Sequence, residues 1–201
     1  GDRAENLERA IHHYSQALEV YTRQAFPADW AMTQNNLATA YSDRIRGDRA
    51  ENLERAIHHY SQALTFYTPE GWPERARDVL RRLGSAHFAA PNWRAAHAAF
   101  AQAQALTEQF YAAALLREVH EQEAGANAAM YAQDAFCLAQ LGDLHAAWTS
   151  LETGRARALR QGLDRARARR ALAAAPRAAR ERHEDLTGRE QALRRALQLP
   201  E

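Results

Sequence analysis

Lysine is missing from this chain, and all 26 of its basic residues are arginine. That bias reflects GC-rich coding rather than chemistry. A single cysteine, Cys137, excludes an intramolecular disulfide and makes a reducing compartment the default. Six prolines and nine glycines are all that interrupt 201 residues. No run approaches the ~18 apolar residues of a membrane span. No charged-then-apolar leader opens the chain, so the expectation is a cytoplasmic protein with no membrane partner. A phosphate-cradling glycine loop, a Ser/His/Asp arrangement and an HExxH pair are all lacking. The expectation is therefore no catalytic residue, no metal site and no cofactor in this stretch.

What is present favours helix. Ala, Leu, Glu, Arg and Gln dominate, all good helix formers, and hydrophobic residues make up 46% of the chain. Much of that share is alanine, which lets helices pack closely while burying little area per residue. The net charge of +1 hides an asymmetry. Residues 1–153 hold 13 Arg against 19 acids, and residues 154–201 hold 13 Arg against 6. The chain divides into an acidic body and a basic tail.

The body is repetitive. The eighteen letters GDRAENLERAIHHYSQAL occupy Gly1–Leu18 and return unchanged at Gly47–Leu64. The offset of 46 continues: Tyr21-Thr22 matches Tyr67-Thr68, Phe26-Pro27 matches Trp72-Pro73, and Leu37-Ala38 matches Leu83-Gly84. A period of 20–50 residues signals a solenoid. Each unit reads as two helices. Met32, Leu37, Ala38 and Tyr41 fall mostly on one face of the first. Leu53, Ala56, Ile57, Tyr60, Ala63, Leu64 and Tyr67 form the stripe of the second. Asn52 is the expected N-cap of that second helix, and Pro69-Glu70-Gly71 its stop. Further on, residues 96–125 read as helix, Gly125-Ala126-Asn127 as punctuation, Ala128–Leu141 as helix, Gly142-Asp143 as a turn, and a long helix runs to about Ala173.

These letters resemble the tetratricopeptide (TPR) pattern of Leu-Gly-x2-Tyr followed by Ala-x3-Phe. One unit has Leu37-Ala38-x2-Tyr41 and Ala56-x3-Tyr60-x2-Ala63-Leu64. The next has Leu83-Gly84-x2-His87 and Ala96-x3-Phe100-x2-Ala103. A degenerate third has Asp134-Ala135-x2-Leu138 and Ala147-x3-Leu151-x2-Gly154. Small residues belong where helices cross closely, and a bulky one there costs ~1–3 kcal/mol. Gly84 to Ala96 and Ala135 to Ala147 each span 12 residues, whereas Ala38 to Ala56 spans 18, which implies an enlarged helix–helix loop in SDRIRGDRAEN. On the same register Gly1 falls inside the corresponding loop of an earlier unit, so the chain is expected to be part of something longer. The resemblance implies an all-α, right-handed α-α superhelix over 1–153, with an Arg-rich helical segment over 154–201.

LGDLHAAWTSLETGRARALRQGL is the most distinctive stretch. A last TPR-like helix running into Leu-Glu-x-Gly-Arg-Ala-Arg-x-Leu resembles the segment before the CHAT domain of bacterial CHAT proteins, caspase-like cysteine peptidases with TPR arrays in front. The GDRAENLERAI repeat and FPADWAMTQNNLATAY resemble their arrays too, and the likeness covers roughly residues 1–172. It implies a sensing or scaffolding array that regulates a downstream peptidase. No catalytic residue carries over, because Cys137 lies in a helical stretch between Phe136 and Leu138 and reads as a small buried hydrophobe.

Candidate contact residues follow from the repeat. First-helix positions would line the concave face of such an array: Met32, Asn35 and Thr39, then Asp78, Arg81 and Ser85, then Phe136. Asn35 and Asn36 could hydrogen-bond a peptide backbone, since amides both donate and accept, and NNLATAY resembles the kinesin-light-chain form of the repeat. Asn36 could instead pack between helices. The expected partner is a protein or peptide segment in that groove. Arg155–Arg170 holds seven arginines and one acid. Arg155, Arg157, Arg160 and Arg165 could form a solvated face paired with the acidic body, dock a downstream domain of the same chain, or contact nucleic-acid phosphates. Few aromatics interleave them, which argues against base stacking. His12-His13 and His58-His59 read as solvent-facing residues of the duplicated helix rather than ligands. Arg46-Gly47-Asp48 reads as a turn, not an adhesion motif.

Overall fold

The computed structural model describes residues 2–114 and 123–174; the side chains of 110–114, 123–127 and several later positions, Arg165 among them, lie outside the described set. Among the described residues there are seven helices and no strand: α1 (Arg3–Val20), α2 (Pro27–Asp43), α3 (Arg49–Leu64), α4 (Pro73–Ala89), α5 (Trp93–Ala114), α6 (Glu123–Gln140) and α7 (Leu144–Ala174). None is long and apolar enough to cross a membrane. The chain divides into two compact units after Arg155. The remarks on packing below concern the first.

The 46-residue offset recurs in the local geometry. α1 and α3 start after an aspartate whose carboxylate accepts a backbone N–H: Asp2 from Ala4 at 3.1 Å, Asp48 from Glu51 at 2.9 Å. α2 and α4 each start with proline after an aromatic residue, Phe26 or Trp72. Proline suits that place because the first helical N–H needs no partner. The connection before each is also duplicated. Thr22 Oγ1 accepts from Ala25 N and Thr68 Oγ1 from Gly71 N, both at 3.2 Å.

Three boundaries differ from the sequence reading. Asp48, not Asn52, caps α3, and Asn52 is buried one turn inside it, donating to the Arg46 carbonyl at 2.9 Å. Most of the six extra residues are helix rather than loop. α3 starts seven residues before Ala56, whereas α5 starts three before Ala96, and the loops between helices are Arg44–Asp48 and Ala90–Asn92. Gly125-Ala126-Asn127 does not break the chain; it lies within α6. The Arg46–Asp48 tripeptide is a turn, with Gly47 at φ +80°, a conformation natural to glycine.

From α1 to α6 each helix packs on its sequence neighbour, and the most extensive contacts are α2 with α3 and α4 with α5. α2 also meets α4, and α4 meets α6. The small residues sit at the crossings. Ala31, Ala38, Ala56, Ala63, Ala76, Ala96 and Ala103 are wholly buried. A Cβ added at Gly84 would lie 2.5 Å from Phe100 Cδ1 on α5, and one at Gly154 on α7 would lie 2.6 Å from Tyr131 Cβ on α6. Two apolar clusters result. One is centred on Leu37, Leu53, Tyr60 and Val79, and the other on Leu80, Phe100, Leu106 and Met130.

Candidate functional site

The first helices of the pairs, α2, α4 and α6, carry a repeated cross-link. Arg82 Nη1 on α4 donates to Thr39 Oγ1 on α2 at 3.1 Å, and Ser85 Oγ on α4 donates to Gln133 Oε1 on α6 at 3.1 Å. In the repeat register Arg82 and Gln133 occupy one position, and Thr39 and Ser85 another. Thr39 donates its own proton to the Asn35 carbonyl at 3.0 Å, so the Tyr60 hydroxyl, 3.1 Å away, donates to Thr39. Thr39 is thereby saturated, and both Thr39 and Ser85 serve helix-to-helix contacts.

The neighbouring positions keep polar capacity. Asn35 and Asn36 are half-buried; Asn35 Nδ2 donates to Asn36 Oδ1 at 3.4 Å, and Asn35 Oδ1 is buried without a hydrogen-bond partner. Arg81, one repeat on, is half-buried. Burial pulls its ionisation below the usual guanidinium value, and the nearby Asp78 carboxylate opposes that shift. Asp78 itself accepts from Arg77 Nη2 at 3.2 Å. Met32 is 46% exposed. Phe136, equally exposed, packs edge-on against Phe88 and Trp93 with all three ring centroids 5.5 Å apart, at the turn between α4 and α5.

Two polar sites escaped the sequence reading. Asp134 on α6 is 2% exposed and binds His97 Nδ1 at 2.6 Å, Gln104 Nε2 at 2.9 Å and Ser150 Oγ at 2.9 Å, tying α5, α6 and α7 together. Met130, Asp134 and Cys137 follow a helical step, so an acid standing in an apolar stripe was the available signal. Histidine, serine and aspartate meet here with the carboxylate at the centre. Ser150 and His97 each bond the carboxylate separately, so the serine proton points at Asp134 and not at the histidine. Cys137 is fully buried, and burial, then the Asp134 charge, push its thiol up to about 11. A thiol so disposed is protonated and inert near neutrality.

His59 is the second such site, and it corrects the solvent-facing reading. It is half-buried, 2.6 Å from Gln34 Oε1 through Nδ1, and stacked on Tyr41 at 5.7 Å between ring centroids. Burial first, then His58 and Arg55, push its pKa down to about 4. His12, His13 and His58 are exposed as expected.

In the basic run Arg155 is exposed and donates to Glu152 at 2.9 Å, one turn back on the same helix. Arg160 is exposed and Arg157 half-buried, while the side chain of Arg165 lies outside the described residues. A scan against protein-family models finds no matching family, and a search of curated proteins finds no match.

Proposed function

We propose that this chain is a protein-interaction array: a TPR-like, right-handed α-α superhelix whose concave face, lined by α2, α4 and α6, takes an extended or helical segment of a partner protein. In a longer chain of the CHAT type the array would sense that partner and regulate a C-terminal peptidase. One observation carries the reading. Asn35 and Arg81 stand at equivalent repeat positions on adjacent first helices; Asn35 Oδ1 has no hydrogen-bond partner, and Arg81 is half-buried beside the Asp78 charge. The Arg82–Thr39 bond lies beside them and holds the two helices in register. An amide side chain suits a peptide backbone, and a guanidinium suits a carbonyl or carboxylate. The rest of the face supplies shape, so most single alanine changes there should cost under ~1 kcal/mol and a few much more.

The test is a pull-down with the native partner. It compares Asn35→Ala/Arg81→Ala with deletion of 155–201. Binding lost in the double variant and kept in the deletion supports the groove. Binding that survives the double variant, disappears on deletion and falls steeply with salt points instead to the arginine-rich segment and to phosphate contacts.

A further inference from the structure

One side of α7 carries large apolar residues into solvent. Leu144, Trp148, Leu159 and Leu163 are between 51% and 71% exposed. Grouped apolar exposure of this kind marks an interaction surface, where a scattered leucine would not. At about 100° per residue the four fall within an arc of about 100°, so they form one stripe about 30 Å long. Ala147, Ser150 and Gly154 are buried on a different side of the same helix, where Ser150 and Gly154 meet Asp134 and Tyr131 of α6. Glu152 and Arg155 interrupt the stripe at its middle. Arg155 Nη1 donates to Glu152 Oε1 at 2.9 Å, and both side chains reach solvent.

Along the helix the stripe runs Leu144, Trp148, Glu152, Arg155, Leu159, Leu163, in steps of four, four, three, four and four residues. Reversed, the steps are unchanged. Each apolar residue then falls on an apolar one, the acid on the base and the base on the acid. We infer that this face of α7 pairs with the same face of a second copy of the chain, the two helices antiparallel about a two-fold axis between Thr153 and Gly154. Leu144 then meets the partner's Leu163, Trp148 the partner's Leu159, and Glu152 the partner's Arg155, and the two-fold repeats each contact. An unrelated helix would need only an apolar stripe. An order of charges that is complementary to itself about a centre is what an isologous interface requires. Parallel pairing would set Glu152 on Glu152 and Arg155 on Arg155, like charge on like, whereas antiparallel pairing opposes unlike charges and aligns the helix dipoles favourably. α7 stands outside the row of first helices α2, α4 and α6, so this surface is independent of the groove. One pair of helices is smaller than a standard interface, and association belongs in the micromolar range.

Sedimentation velocity of the full chain, from about 1 to about 200 µM, should show a monomer passing into a dimer. Trp148→Ser should weaken the dimer at least about tenfold, because a single substitution acts twice across a two-fold axis. The changed side chain is exposed, so the helical circular dichroism should not move with it. Glu152→Arg and Arg155→Glu each place like charges opposite one another, and each variant alone should pair at least about tenfold more weakly than the parent. Mixed in equal amounts the two variants should pair again, since each supplies the charge that the other lacks. Loss of the bond within one helix could not produce that recovery. Cysteines read the direction. Leu144→Cys chains and Leu163→Cys chains should form a disulfide when mixed and none when kept apart, because antiparallel order holds the two Leu144 positions about 28 Å from each other. Cys137 is fully buried and takes no part. A chain that stays monomeric overturns the proposal and leaves the stripe to another protein or to a later part of the chain. So does a dimer that Trp148→Ser leaves alone, a mixture of charge variants that fails to pair, or a Leu144→Cys chain that links to itself.

Discussion

Gly84→Ala adds one methyl group, and the structure says where it goes. The new Cβ would lie 2.5 Å from both Phe100 Cδ1 and Cε1, far inside van der Waals contact. Phe100 is wholly buried in the second apolar cluster, so its ring has no open space to turn into. Overpacking of this kind costs about 1–3 kcal/mol. Alanine regains about 1 kcal/mol of helix propensity over glycine. With a ring rather than a flexible chain end as the obstacle, the steric cost falls in the upper part of its range. The variant should therefore be destabilised by about 1–2 kcal/mol, net of propensity. For a unit of this size the melting temperature should drop by about 2–8 °C. Urea denaturation followed by circular dichroism at 222 nm reads the change as a lower midpoint at unchanged slope. Phe100→Leu supplies the cross-check, since a smaller side chain makes room for the methyl group. The cost of Gly84→Ala should then shrink by at least about 0.5 kcal/mol in a double-mutant cycle. A Gly84→Ala chain as stable as the parent, or the same penalty in both backgrounds, would refute the close-crossing argument.

Three further outcomes are expected. Asp134→Ala should destabilise the first unit by about 2–4 kcal/mol in the same urea assay, because His97, Gln104 and Ser150 all lose their acceptor in the interior. His59 is held neutral by the fold, with a pKa pushed to about 4. Its contribution is therefore complete above the unfolded value of about 6.5 and is lost as pH falls toward 4. His59→Gln should flatten the stability curve over that interval, leaving a smaller slope from His87, which burial also pushes down. Cys137 should resist Ellman's reagent in native buffer and react fully in denaturant, whereas rapid native labelling would contradict its burial.

The helices were legible because their apolar spacing repeats, and the duplicated letters located the pairs before any coordinate did. Boundaries were harder. Asn52 and Asp48 are both good capping residues, and only the position of the chain in space decides that Asp48 accepts from Glu51 N while Asn52 turns inward to the Arg46 carbonyl. Gly125 reads as a breaker because glycine weakens helices, but a cost of about 1 kcal/mol does not stop one. Of the contact residues, the sequence supplied positions but not commitments. Thr39 and Ser85 sit on first helices as the register requires, yet their hydroxyls are taken by Tyr60 and Arg82 or by Gln133. Asp134 was visible as a letter and overlooked as a charge. It fills the leucine position of the degenerate third unit, and the three donors that make the carboxylate tolerable come from residues 16–37 positions away.

Neighbour-only packing also sets how the first unit can be made. From α1 to α6 each helix finds its main partner next to it in the chain, so little loop-closure entropy separates synthesis from docking. Such local topology folds fast, well ahead of translation at about 5–20 residues per second. α2 and α3 can close while α5 is still in the ribosome. Asp134 marks the point where that order waits: His97 and Gln104 emerge before it, but Ser150 comes later. Until α7 arrives, Asp134 Oδ2 has Gln104 as its one side-chain donor, and Ser150 adds the second that ties α7 to the pair already formed.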